Sequence, residues 1–143
     1  NNQLELVREN IAKNEELAEQ EEQIQNLLDQ ASREKNDEKW DDAIASYEEI
    51  LEIKADHDEA KTLLEETKTL KEEWLANKEK QAEFDKLKSE ADQLFAQEKW
   101  EEAKDKYLAA NELIESSEVD DQLKIIEQVM QMQQIKLRIL SRS

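Results

Sequence analysis

The run Asp56-His57-Asp58-Glu59 surrounds the only histidine of the chain with three carboxylates, residue types that hold divalent metals or exchange protons. A metal site needs three or four ligands that converge on one point. Four successive residues at a turn do not supply that convergence. The same run reads as a helix start, with Asp56 as N-cap and Glu59 three residues on as its capping-box partner. We therefore expect His57 to lie exposed at a helix start, with no metal bound.

Other chemistries are excluded by what the chain lacks. It has no cysteine, so disulfides, thiol catalysis and cysteine-based zinc sites are out of reach. It has no glycine, so the usual phosphate-cradling loops cannot be built. Its 38 acidic residues place carboxylates side by side by abundance alone, whereas acid–base work needs a carboxylate of shifted pKa in a dry pocket. The expectation is a protein that is not an enzyme and takes no cofactor.

The elements that must carry the remaining candidates are helices. Average usage would give a chain of 143 residues about ten glycines and about seven prolines, and it has neither. Hairpins and tight turns of β structure depend on those residues. The 37% hydrophobic and 41% charged content sits at the polar edge of folding domains, with Glu, Lys, Gln, Ala and Leu favouring helix. A formal net charge of -18 repels phosphate backbones and makes nucleic acid a poor partner, while basic proteins or peptides suit it. No stretch approaches the roughly 18 apolar residues of a membrane span.

An internal repeat organises the chain. Leu27, Ala31, Glu38, Lys39, Trp40, Ala43, Tyr47 and Glu52 recur sixty residues later as Leu87, Ala91, Glu98, Lys99, Trp100, Ala103, Tyr107 and Glu112. Within windows 24–53 and 84–113 these eight identities exceed the roughly two or three that shared helical composition yields. Trp40, Ala43, Tyr47 and Ile50/Leu51 form one helical stripe, repeated by Trp100, Ala103, Tyr107 and Ala110. Upstream, Ile24-Leu27-Leu28-Ala31 and Phe84-Leu87-Ala91-Leu94-Phe95 form a second, so each unit is a helix-turn-helix hairpin. The alanines permit close backbone approach where the helices cross, and the aromatics fill the gaps around them. The tryptophans offer stacking platforms for a ligand, but the repeat fixes Trp40 and Trp100 at hairpin corners as core. Trp74, whose nearest equivalent by the sixty-residue offset is Gln134, is also read as core.

The run from Trp40 to Ile53, and its partner from Trp100 to Leu113, resembles the second helix of tetratricopeptide repeats, with an aromatic, a small residue and a second aromatic at the family's spacing. The resemblance covers about 34 residues per unit, near 24–57 and 84–117, about half of the chain. It implies an all-α fold of tetratricopeptide-like hairpins joined by long linking helices, a fragment of an α-solenoid. The family's turn glycine is replaced by Glu38 and Glu98, and its terminal proline by Ala55 or Glu115. The expected organisation is a linking helix from a preceding unit (1–20), a first unit (21–80, hairpin 24–55) and a second (81–143, hairpin 84–115). The region 57–97 is read as one long helix or two joined near Asn77, and Ser116 or Ser117 as the cap of the last helix. The chain begins Asn1-Asn2 and is in helical pattern by Leu4, with Leu4, Val7, Ile11 and Leu17 in the place of 63–80, which reads as a piece cut from a longer array.

The same resemblance places a peptide groove on the first helices, lined by Leu28, Ser32, Lys35, Asn36, Lys88, Asp92 and Phe95, with Leu28 and Phe95 as apolar grips. The basic and asparagine set by which family members hold carboxy-terminal peptides cannot be assembled from Lys35, Asn36 and Lys88. The last helix carries two apolar stripes, Val119-Leu123-Ile126-Met130-Leu137-Leu140 and Ile125-Val129-Met132-Ile139, where packing on one hairpin needs one. No acid follows Glu127, yet Lys136, Arg138 and Arg142 do. Three readings stand: the start of a following repeat, an oligomer or docking surface over 119–140 that meets an acidic partner or a second copy, and an amphipathic segment for a membrane surface or calmodulin-type partner. The function expected is a protein–protein interaction scaffold within a larger protein, or alternatively a spacer or self-assembly element.

Overall fold

The computed structural model describes residues 2–142, and these form five α-helices and no strand. The helices are α1 (Asn2–Asn36), α2 (Trp40–Ile53), α3 (Asp58–Ala96), α4 (Trp100–Leu113) and α5 (Ser117–Ser141). The chain is all-α. Region 58–96 is one helix of 39 residues with no break at Asn77, and the expected linking helix and first hairpin helix at the start are likewise one, α1. Two compact units divide between Trp74 and Leu75.

The first unit buries Ile24 and Ala31 of α1, Ala43, Tyr47 and Ile50 of α2, and Ala60 and Leu64 of α3. The second buries Phe84 and Ala91 of α3, Ala103, Tyr107 and Ala110 of α4, and Val119 and Ile126 of α5. The alanines at the crossings, Ala31 and Ala43 or Ala91 and Ala103, are wholly inaccessible, so no longer side chain fits between those backbones. Leu27, Leu87 and Trp100 pack around these cores half-buried, and Trp40 is half-buried too.

The first helix of each hairpin stops in the same way without glycine. Glu38 and Glu98 adopt φ of 60° and 61°, the left-handed region that costs a side-chain-bearing residue about 1 kcal/mol. The Lys39 N–H then donates to the Glu34 carbonyl at 2.8 Å, and the Glu38 N–H to the Lys35 carbonyl at 3.0 Å. Lys99 to Leu94 and Glu98 to Phe95 repeat the pair at 2.9 and 3.0 Å. This is the double closure of a Schellman C-cap, which satisfies the last carbonyls of a helix. Next, α2 and α4 begin without a side-chain cap, and Asp41-Asp42 or Glu101-Glu102 set negative charge against the positive end of the helix dipole.

The third helix of each unit starts differently. Four residues, 54–57, separate α2 from α3, whereas three, 114–116, separate α4 from α5. The buried positions of the third helices therefore match at an offset of fifty-nine: Ala60 with Val119, Leu64 with Leu123, and Thr67 with Ile126. This corrects the sixty-residue extrapolation for this element, and the counterpart of Trp74 is Gln133 rather than Gln134.

Candidate functional site

His57 is not an exposed bystander to an Asp56 cap; it is the cap of α3. Its carbonyl accepts from the Lys61 N–H, and its imidazole Nδ1 accepts from the Ala60 N–H at 3.1 Å. An imidazole that accepts at Nδ1 carries its proton on Nε2. Asp56 lies outside the helix one residue too early to reach these donors. Ser116 caps α5 as one of the two expected serines, its Oγ accepting from the Val119 N–H at 3.4 Å. Asn111 supports that cap, accepting from the Ser116 N–H at 3.1 Å and donating to Asp120 at 2.7 Å. Among the described residues no group of three or more His, Cys, Asp or Glu side chains is placed to hold a metal ion.

The tryptophans are half-buried and each packs against another aromatic ring. Trp40 and Trp74 meet edge to face at 6.3 Å, and the Trp74 indole donates to the Glu38 carboxylate at 3.0 Å. That bond ties α3 back to the left-handed turn. Trp100 meets Phe95 at 5.1 Å and 90°. The Trp40 indole N–H is buried with no partner among the described residues.

The residues expected to line a peptide groove divide between the units. In the first, Leu28 packs half-buried at the core edge, Lys35 is half-buried, and Ser32 and Asn36 are exposed. Leu28 also lines a cleft of about 490 Å³ with Leu17, Gln20, Glu21, Ile24, Gln25, Lys54, His57 and Glu59. The lining brings α1 beside the cap of α3. In the second unit the named residues are engaged at home. Phe95 packs on Trp100, Lys88 pairs with Asp92 at 3.2 Å and Glu118 at 3.3 Å, and Asp92 accepts from the Tyr107 hydroxyl. Asp92, then Glu118, holds the Lys88 ammonium above its ordinary range. Phe95, expected as an apolar grip for peptide, is half-buried against the core of its own unit.

Two buried tyrosines sit at equivalent points of the cores. Burial raises the Tyr47 phenol, and a hydrogen bond with Thr67 draws it partly back. Burial followed by the bond to Asp92 raises Tyr107 much further, since ionisation would set two anions side by side. On the surface, Lys106 and Glu90 pair at 2.8 Å, which raises the lysine and lowers the carboxyl.

On α5 one stripe faces inward, with Val119 and Ile126 buried and Leu123 and Met130 packed against them. Leu137 and Leu140 of that stripe are exposed, as are Ile125, Met132 and Ile139 of the other, while Val129 is half-buried. Met132, Ile135, Lys136, Ile139 and Leu140 line an apolar depression of about 330 Å³. The stripes named Ile125, Val129, Met132 and Ile139 but missed Ile135, which its place three residues after Met132 and four before Ile139 would have flagged. The cleft was also missed; its signal is Leu17-Glu21-Ile24-Leu28, a stripe at helical spacing that runs upstream from the hairpin.

No helix among the described residues is long and apolar enough to cross a membrane. No family model matches the chain, and neither a curated protein nor a solved structure matches it.

Proposed function

We propose that this chain is a non-catalytic protein–protein interaction module of tetratricopeptide-like hairpins, serving a larger protein as a scaffold. The observation that carries this reading is the cleft in the first unit. Leu17, Ile24 and Leu28 give it an apolar wall, and Glu21 and Glu59 set two carboxylates beside that wall against the one ammonium of Lys54. Such a surface takes an apolar side chain with a basic neighbour, the chemistry of a basic amphipathic peptide, and the net charge of -18 draws that partner in. The cleft lies beside the first hairpin, whose α1 ends in a doubly closed cap and whose crossing with α2 is filled by Ala31 and Ala43.

Fluorescence anisotropy with a labelled twelve-residue peptide of alternating lysine and leucine tests the reading, with a lysine–serine peptide as control. Leu28→Asp is expected to weaken the leucine peptide by about tenfold, equivalent to about 1.4 kcal/mol, and to leave the serine peptide unchanged. Equal weakening of both peptides, or indifference of both to Leu28, overturns the cleft as the binding site. A second reading, self-assembly, is favoured by the exposed apolar residues of α5.

A further inference from the structure

The apolar residues of α5 beyond Met130 need an explanation that a following hairpin does not give. At the offset of fifty-nine, Met132, Ile135 and Ile139 correspond to Glu73, Ala76 and Lys80 of α3, three exposed positions of which none carries a large apolar side chain. The positions through which α3 holds the second hairpin, Phe84, Leu87 and Ala91, have no counterparts at this offset among the described residues. A repeat continuing in the same register would leave Met132, Ile135 and Ile139 uncovered. In that register the exposed stripe has no partner within a following hairpin.

The spacing of the exposed residues is that of a helix-pairing seam. Ile125, Met132 and Ile139 recur every seven residues, and Ile135 sits between the last two at the complementary core position. All four are exposed, Met132 at 69%. On a helix of 3.6 residues per turn this seam lies well over a quarter turn away from Val119, Leu123 and Ile126, which face the unit's own core. The helix therefore carries two apolar faces, one used within the unit and one turned outward.

Charge along α5 says what covers the outer face. Its first half holds Glu118, Asp120, Asp121 and Glu127 against Lys124, and its second half holds Lys136, Arg138 and Arg142 with no acid. Two copies of α5 laid antiparallel about Met132 bring each basic half against the partner's acidic half. Laid parallel, they bring like charge against like. Glu118 already meets Lys88 inside its own unit and Glu127 points well off the seam, so the exposed Asp121, which falls beside Arg142 of the second copy, carries the attraction. We propose that α5 is a self-association surface, in which the seam Ile125-Met132-Ile135-Ile139 pairs antiparallel with the same seam of a second copy in a two-fold contact. This goes beyond the peptide reading and uses a different part of the molecule.

Light scattering after size exclusion, from low micromolar to near-millimolar concentration, reads the assembly. The chain is expected to reach a dimer and stop there. Met132→Glu, which sets two carboxylates on the two-fold axis, is expected to hold it monomeric with unchanged helical circular dichroism. Direction is read by cross-linking, which the absence of native cysteine makes clean. In the antiparallel pair Ile125→Cys lies beside Ile139→Cys of the other copy, whereas two copies of Ile125→Cys stand about 21 Å apart along the axis. A short bismaleimide should link the mixture of the two variants and neither alone. A monomer throughout the series, open-ended growth, or linking of either variant by itself overturns the proposal. Leu28→Asp should leave the dimer intact, so loss of peptide binding and loss of dimer are separate results.

Discussion

In the first unit Tyr47 shares its hydroxyl with Thr67 of the third helix, and Thr67 in turn donates to the Leu63 carbonyl at 2.6 Å. In the second unit the matching Tyr107 turns to the first helix and donates to Asp92, and the position of Thr67 is taken by Ile126. One phenol thus meets a polar group of the third helix, and the other is held chiefly by Asp92 of the first, with Gln122 of α5 as a lesser partner. The lesson is that the aromatic and its alanine neighbours are fixed by the crossing geometry, whereas the polar partner is free to come from either flank as long as one is supplied. The choice has consequences: the Tyr107 arrangement leaves Ile126 to fill its site with hydrocarbon alone, and it ties Asp92 and Lys88 into internal service.

The largest expected contrast lies at that third-helix site. Ile126→Ala should destabilise the second unit by about 3 kcal/mol, transfer and cavity together, while Thr67→Ala should cost the first about 1 kcal/mol, the worth of its hydrogen bonds. Urea unfolding followed by tryptophan fluorescence separates the units when Trp100 is retained alone, or Trp40 and Trp74 without it. Equal losses would mean that Thr67 is as much a packing residue as Ile126 and would dissolve the contrast.

The left-handed turns give a smaller one. Glu98→Gly removes the penalty of a side chain at positive φ and should stabilise the chain by about 1 kcal/mol. Glu38→Gly removes the same penalty but also the acceptor of the Trp74 indole, and should gain distinctly less. Denaturant midpoints of the two variants decide it. A gain at Glu38 as large as at Glu98 would show that the indole bond contributes nothing.

At neutral pH the tyrosines should differ not at all, and the contrast opens only in alkali. Both phenols resist ionisation when folded. Their contribution to stability is complete below about pH 10, the ordinary tyrosine value, and is lost as pH rises through the raised folded values. Ultraviolet titration should find neither phenol ionising at its ordinary pH in the native chain, with Tyr107 the later of the two, and Tyr47→Phe and Tyr107→Phe assign them. Tyr107 titrating with or before Tyr47 would mean that Asp92 is not its partner in solution.

Much of this was legible beforehand because helix pattern is local. The absence of glycine and proline, the stripes at helical spacing and the sixty-residue identities specified all-α hairpins, and the buried set Ala31, Ala43, Tyr47, Ala91, Ala103 and Tyr107 followed from them. The cap of α3 was misplaced by one residue because Asp is the commoner N-cap and nothing in the local pattern shows which residue the first helical donors will face. The third-helix register was misplaced because a connection one residue shorter rotates everything beyond it. For the groove, Phe95 and Lys88 could not be separated from Leu28 by spacing, since their partners Trp100 and Glu118 come from other helices.

The sequence by itself determined that this protein is helical, where its hairpins turn, and which small and aromatic residues must be inside, because propensity and periodicity act over a few residues. Only the tertiary structure decided which polar group each buried tyrosine meets, which surface residues are spent on internal bonds, and which face of α5 is left to solvent, because those depend on side chains that the fold brings together from distant positions.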